Sequence, residues 1–212
     1  MKILSIETTS EMASIAFLQD GDIVSEHSFK NADIAGILLE YTDNILEKSR
    51  CPVNNLDLIV VSRGPGLWTG IRLGMGVAKG LAVPFKTAIY CLETPESLFF
   101  GLKEMKVAVA CVINACRGQV HFSSFAGRFN YKRRYPLKII NFNQLHMICS
   151  GKGIILTGPG IPVIPKKTRD LKTVKILSRQ LLYPKASMNA LLALEKIRRN
   201  IPSLPLEPFY GR

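Results

Sequence analysis

The sequence is poor in the residues that most metal and nucleophile chemistry needs. It holds three histidines, His27, His121 and His146, each isolated from the others. It has no HExxH segment, which excludes zincin-type hydrolysis. Its five cysteines are odd in number and form no zinc-binding set, so they read as free or buried thiols in a reducing compartment. No Gly-Lys-Ser/Thr follows a glycine-rich turn at P-loop spacing, and there is no GxGxxG. No apolar run approaches the roughly 18 residues of a membrane helix, and the N-terminal apolar stretch is too short for a signal peptide. A cytoplasmic protein with no membrane association is therefore expected. Acidic residues are scarce in one half only. Through Leu102 there are 8 basic and 12 acidic residues, and beyond it 20 basic and 4 acidic, giving −4 and +16 within a net charge of +12. Such a basic half attracts RNA or an acidic partner. The cluster Arg128, Lys132, Arg133 and Arg134 is the candidate RNA contact.

What is present reads as an α/β protein. Residues 2–8, 13–18 and 23–29 are short strands, and Asp20-Gly21 supplies the hairpin turn between the last two. Residues 33–49 carry a helical stripe through Ile34, Ile37, Leu38, Tyr41, Ile45 and Leu46, with Asp33 as the expected N-cap. The run at 56–62 is a buried parallel strand. A helix over about 70–83, a strand at 87–91 and a helix at 94–103 follow. The second half repeats the plan, with strands at 106–113, 121–125, 131–139 and 154–157 and a helix at 142–148; a structural duplication is the hypothesis this raises. Residues 159–175 read as a surface loop. A last helix at 187–199 shows an apolar stripe through Met188, Leu191, Leu192, Leu194 and Ile197, before an extended proline-rich tail. The expected division is a lobe at 1–103 and a second at 104–212 that includes the terminal helix.

The most informative stretch is Ser62-Arg63-Gly64-Pro65-Gly66-Leu67-Trp68-Thr69-Gly70-Ile71-Arg72-Leu73-Gly74. A strand ends, glycines permit a tight turn, and a helix begins, so backbone N–H groups gather where an anion can sit. Thr69 is placed to cap the helix or to meet a phosphate. Phosphate binding and a structural turn are both open on this evidence. The helix that follows carries glycines in its interior, at about 1 kcal/mol each relative to alanine. Gly70, Gly74 and Ala78 share one face, and Gly76 and Gly80 another. A face without side chains lets a second backbone approach, either the chain's own sheet or a partner subunit.

With these residues in view, the chain resembles the TsaB (YeaZ) family. ILSIETTSEMASIAFLQDGDIV is similar to that family's ILAIDTS strand and hairpin, GPGLWTGIRLGMGVAKGLA to its GPGSFTGxRIGxxxAKGLA signature, INACRGQVH to DARRGEVY, and PLEPFYGR to its tail. The resemblance implies an actin-like ATPase superfold of two RNase-H-like lobes with mixed sheets, the second lobe reduced. It implies a non-catalytic subunit that supports a TsaD-type enzyme, which places threonylcarbamoyl on adenosine 37 of tRNAs reading codons that begin with A. A TsaE-type ATPase is the further partner implied, and homodimers form through the same helices. The chain departs from the pattern at Glu7 (usually Asp), at Leu67 and Trp68 (usually Ser and Phe), and at Asn114 and Cys116; a longer Glu7 and a bulky Trp68 are expected to crowd a phosphate.

Two sets of residues follow. The vestigial phosphate loops are Thr8, Thr9, Gly64, Gly66, Thr69 and Gly70, with no cofactor held by this chain alone and ATP or ADP confined to a partner interface. The expected partner interface is Leu38, Tyr41, Ile45, Gly74 and Ala78. The competing reading is a small ATP-binding kinase or ATPase of the same superfold, with Glu7, Thr9, Gly64, Gly66 and Thr69 around the phosphates. No catalytic or metal-ligating constellation is found.

Overall fold

The computed structural model describes residues 1–30, 34–105, 107–125, 133–151, 153–178 and 181–211. Two units divide the chain, one of residues 1–97 and 184–210, the other of residues 98–183 and 211–212.

Unit 1 is built on a five-stranded sheet. β1 (Lys2–Glu7), β2 (Met12–Gln19) and β3 (Asp22–Lys30) form an antiparallel meander. Asp20 and Gly21 both take positive φ at the β2–β3 turn, 54° and 97°, as a tight Asp-Gly hairpin requires. β4 (Leu58–Ser62) and β5 (Ala88–Leu92) add in parallel, giving the order β3-β2-β1-β4-β5. β1 is central and buried on both faces, because helices cover both. α1 (Ile34–Lys48) and α2 (Trp68–Ala82) share a core with the sheet through Leu38, Ile45, Leu46, Ile71, Met75 and Ala78. Asp33, the expected N-cap of α1, lies outside the described residues.

The terminal helix α6 (Ala186–Arg198) covers unit 1, against β1, β2 and β4. The expected second lobe at 104–212 is corrected on this point, and its start at 104 moves to 98, inside α3 (Thr94–Phe100). The cause is long-range capping. α6 has no side-chain cap of its own. Instead the Ala186 N–H donates to Ser14 Oγ at 2.8 Å, and the Ser187 N–H and hydroxyl donate to the two Glu26 carboxylate oxygens at 2.9 Å each. A carboxylate at a helix N-terminus also complements the helix dipole. Lys196 pairs with Glu96 at 2.7 Å to fix the other end. The buried stripe of α6 is Ala186, Asn189, Ala190 and Ala193, with Leu192, rather than the larger apolar stripe read from the sequence; small residues let the helix lie close on the sheet.

The tail runs along unit 1 as an extended segment. Leu204 N–H donates to the Cys91 carbonyl at 3.3 Å and Ser203 Oγ accepts from Cys91 N–H at 2.8 Å, so the tail binds the β5 edge.

Unit 2 repeats the plan. β6 (Ala108–Asn114), β7 (Gln119–Phe125) and β8 (Arg133–Asn141) form a meander, and β9 (Ile154–Thr157) and β10 (Val174–Ile176) join in parallel. The order β10-β9-β6-β7-β8 is that of the first sheet, so the duplication is real at the level of strand order. The reduction of this lobe lies in its helices. α4 (Phe142–Cys149) is closed by an Asn141–Gln144 capping box, and α5 (Lys166–Arg169) is a single turn. Residues 159–175, expected as a loop, hold a 3-10 turn at Ile161–Val163, α5 and the start of β10; each is too short to show a period in the sequence.

A chain ending at Tyr183 should lose unit 1, whose sheet would be bare on the α6 face. The 1H–15N spectrum should keep the dispersed amides of unit 2 and lose those of residues 1–97; a fully dispersed unit 1 would contradict this.

Candidate functional site

The first strand ends in a buried carboxylate. Glu7 is fully buried, and its oxygens meet four donors of unit 1. Oε1 accepts from the Thr9 N–H at 2.7 Å and the Thr9 hydroxyl at 2.6 Å. Oε2 accepts from the Ser62 hydroxyl and from Asn189 Nδ2, the latter at 3.0 Å. Asn189 Nδ2 also reaches Ser62 Oγ at 3.0 Å, and Thr94 Oγ1 donates to Thr9 Oγ1 at 3.1 Å. The carboxylate thus joins β1, the β1–β2 turn, the end of β4 and α6. Ser62 falls here because β1 and β4 pair in parallel, Ile6 beside Val61.

The glycine-rich loop folds onto the same turn. The Leu67 N–H donates to the Thr9 carbonyl at 2.7 Å, and a Cβ on Gly66 would collide with that carbonyl. Gly64 has φ 104°, a left-handed conformation natural to glycine, and a Cβ there would sit 2.5 Å from the Phe209 carbonyl of the tail. The Thr94 N–H donates to the Gly64 carbonyl at 3.0 Å. The Thr8 hydroxyl donates to the Gly70 carbonyl at 2.7 Å and occupies the space a Gly74 side chain would need.

Of the phosphate-loop candidates, Thr8, Thr9, Gly66 and Gly70 are therefore brought together by bonds and contacts among themselves and with Glu7 and Leu67, and Gly64 joins them through Thr94. Thr69 is exposed, and α2 starts at Trp68 with Leu67 as a residue that supplies no side-chain cap, so the expected Thr69 cap is corrected. The expected crowding by Trp68 is corrected as well. Its ring is 56% exposed and turned outward, where the Arg72 guanidinium stacks 3.5 Å from its centroid. Arg72 Nε also donates to Tyr210 Oη at 2.8 Å, which ties the tail to the start of α2.

The expected partner-interface residues lie in the wrong layer. Leu38, Ile45 and Ala78 have no exposed surface, and Gly74 faces Thr8. Tyr41 is half-buried and stacks on Phe29 and His27 of β3, at 4.8 and 5.5 Å between centroids. The small-residue face of Gly70, Gly74 and Ala78 serves the chain's own interior. The other face is bare among the described residues: a Cβ on Gly76 or Gly80 would meet none of them within 4 Å. Around it stand Val83 and Phe85, 74% and 50% exposed, with half-buried Leu73 and Val77 on the same helix.

The histidines do not converge. Burial pulls the His121 imidazole down to about 4, and His146 Nδ1 bonds Thr168 Oγ1 at 3.1 Å. Among the described residues no cluster of three His, Cys, Asp or Glu side chains could hold a metal ion, and no helix is long and apolar enough to cross a membrane. Arg128 and Lys132 of the expected tRNA contact lie outside the described residues, as does the side chain of Arg134. Sequence reading missed Ser62, Thr94 and Asn189. Asn189 had a signal, as the polar position within an alanine stripe of α6; Ser62 and Thr94 had none before strand pairing was known.

Glu7→Gln replaces two acceptor oxygens with one and turns an amide against donors. Unit 1 should lose about 2–3 kcal/mol of stability by denaturant melts. An unchanged midpoint would show that the hub does not hold the turn.

The sequence profile of the tRNA N6-adenosine threonylcarbamoyltransferase family, TsaD, matches residues 32–135. The tRNA threonylcarbamoyladenosine biosynthesis protein TsaB of Escherichia coli (strain K12) is 28% identical over 127 residues, covering 59% of this chain and 55% of that protein. The TsaB of Buchnera aphidicola subsp. Schizaphis graminum is 27% identical over 194 residues, 87% of this chain and 89% of its own length. The chain thus spans about half the length of the Escherichia coli relative and most of the Buchnera one. YeaZ from Pseudomonas aeruginosa superposes with a TM-score of 0.81 at 20% identity, covering 99% of both chains. Component A of (R)-2-hydroxyglutaryl-CoA dehydratase from Acidaminococcus fermentans gives 0.56 at 10% identity over 93% of this chain and 99% of that one. The fold is the actin-like ATPase superfold with its two mixed sheets, and the chain is similar to the TsaB (YeaZ) proteins, in the Buchnera case over most of its length.

Proposed function

We propose that this chain is a non-catalytic subunit in the synthesis of threonylcarbamoyladenosine in tRNA, and that it acts by presenting the outer face of α2 to a TsaD-type catalytic subunit. The names of the TsaB relatives support the process, and the observation that carries the contact is the bare pair Gly76 and Gly80. Each sits in a helix interior, where glycine is worth about 1 kcal/mol less than alanine, and neither has a neighbour among the described residues that needs the space. An external backbone lying on that stripe accounts for both. Val83 and Phe85 beside it supply the apolar surface that such an interface buries. A second copy of the chain can use the same face, so a homodimer and the heteromeric contact compete. A TsaE-type ATPase completes the set of partners.

The same reading assigns the chain no ATP chemistry of its own. Thr8 and Thr9 direct their hydroxyls to Gly70 and Glu7, and the Glu7 carboxylate occupies the end of β1 that would face a phosphate. Nucleotide at this subunit would need surfaces from a partner. Localisation in the cytoplasm follows from the tRNA-modifying role.

Gly76→Leu and Gly80→Leu test the contact. Both positions are open and helical, so each substitution should raise stability by roughly 0.5–1 kcal/mol. Co-purification with the TsaD-type subunit should nevertheless fall more than tenfold, together with threonylcarbamoyladenosine formation in the reconstituted system. Undiminished capture would remove the outer face of α2 from the account.

A further inference from the structure

The fold keeps the charge of this chain sorted between its two units. Unit 2 has 16 basic and 2 acidic residues, a net charge of +14; unit 1, with the returning helix and tail, has 12 basic and 14 acidic, a net charge of −2. The whole positive excess of the protein belongs to one folded unit.

Within unit 2 the described basic residues concentrate on one sheet edge. β10 is the edge strand, and α5 precedes it. Lys166, Lys167, Arg169, Lys172 and Lys175 fall within ten residues that contain a single acid, Asp170. The four lysines are exposed, and none has an ion-pair partner among the described residues. The Arg169 Nε is buried and has no hydrogen-bond partner among them. The ridge is held rigidly from behind. Thr168 is fully buried and bonds His146 of α4, and the Thr173 hydroxyl donates to the Cys149 carbonyl at 2.6 Å. These two threonines alternate with the lysines and anchor the backbone that presents them.

We infer that the α5–β10 edge of unit 2 binds the phosphodiester backbone of a folded RNA. A protein partner is favoured by aromatic and aliphatic anchors, and residues 166–175 contain no aromatic ring. Without a stacking platform the ridge cannot seat unpaired bases, and it fits the sequence-independent phosphates of a paired strand. Lysines also blunt sheet edges against aggregation, but that role calls for charge on the edge strand, and three of the four lysines stand outside β10. The inference goes beyond the subunit role proposed above and stands without it.

The test is anisotropy of a fluorescein-labelled tRNA transcript with the full-length chain, from about 50 to 200 mM salt. Binding should weaken steeply across that range. The variant Lys166→Ala, Lys167→Ala, Lys172→Ala, Lys175→Ala should bind at least tenfold more weakly and lose about three from the log–log salt slope. A charge-matched control in unit 1, Lys30→Ala, Lys48→Ala, Lys79→Ala, Lys86→Ala, should stay within twofold of the parent. Salt-insensitive binding, an equal loss in both variants, or competition by polyglutamate as strong as by unlabelled tRNA would overturn the inference. Co-purification with the TsaD-type subunit should be unaffected by the ridge variant, which separates failure here from failure of the subunit role.

Discussion

The buried Glu7 carboxylate is the interaction around which unit 1 is arranged. A carboxylate with no solvent is costly unless its oxygens are satisfied, and here four donors from three separate parts of the chain do so. Satisfying it requires β4 to end at Ser62, the β1–β2 turn to fold back through Thr9, and α6 to return across the sheet with Asn189 facing inward. One side chain thereby specifies the path of segments more than 180 residues apart. It also explains why the terminal helix belongs with the first strands and not with the segment that leads into it.

From that hub the glycines of α2 divide their work. Gly74 is small because the Thr8 hydroxyl, held by the Gly70 carbonyl, fills the space its Cβ would need, and Gly66 because the Thr9 carbonyl abuts it. These are consequences of the closed turn. Among the described residues Gly76 and Gly80 have no such reason, and the proposed partner contact is the use this reading gives them. The inner face makes the fold, and the outer face is the one proposed for assembly. The charge of unit 2 supplies a separate surface, whose physics is long-ranged and indifferent to shape.

Much of the fold was legible because it rests on local signals. Asp20-Gly21 declares its hairpin, Leu58–Ser62 its burial, and Ile34 to Leu46 its amphipathic stripe. The strand duplication showed in the order of elements. What stayed hidden depended on contacts distant in sequence. The position of α6 is set by Ser14 and Glu26, which no window around residue 186 contains. The same limit applied to the site. Periodicity identifies two small faces on α2 but cannot rank them, and the face of Gly74 and Ala78 expected at the partner is buried in the chain's own core, because a glycine stripe looks the same whether its neighbour is internal or external. The sequence marks Glu7 as a departure and Thr9 as a candidate phosphate ligand; that each satisfies the other is a property of the turn's geometry.

The central claim is that the first strand's end and the glycine loop are filled by the chain's own groups. The most direct measurement follows the backbone amides of Thr9, Gly64, Gly66 and Gly70 by 1H–15N NMR while Mg-ATP is added to the isolated protein at millimolar concentration. The account predicts that none of the four resonances moves. Saturable shifts at these amides, with nucleotide bound in the absence of any partner, would contradict it.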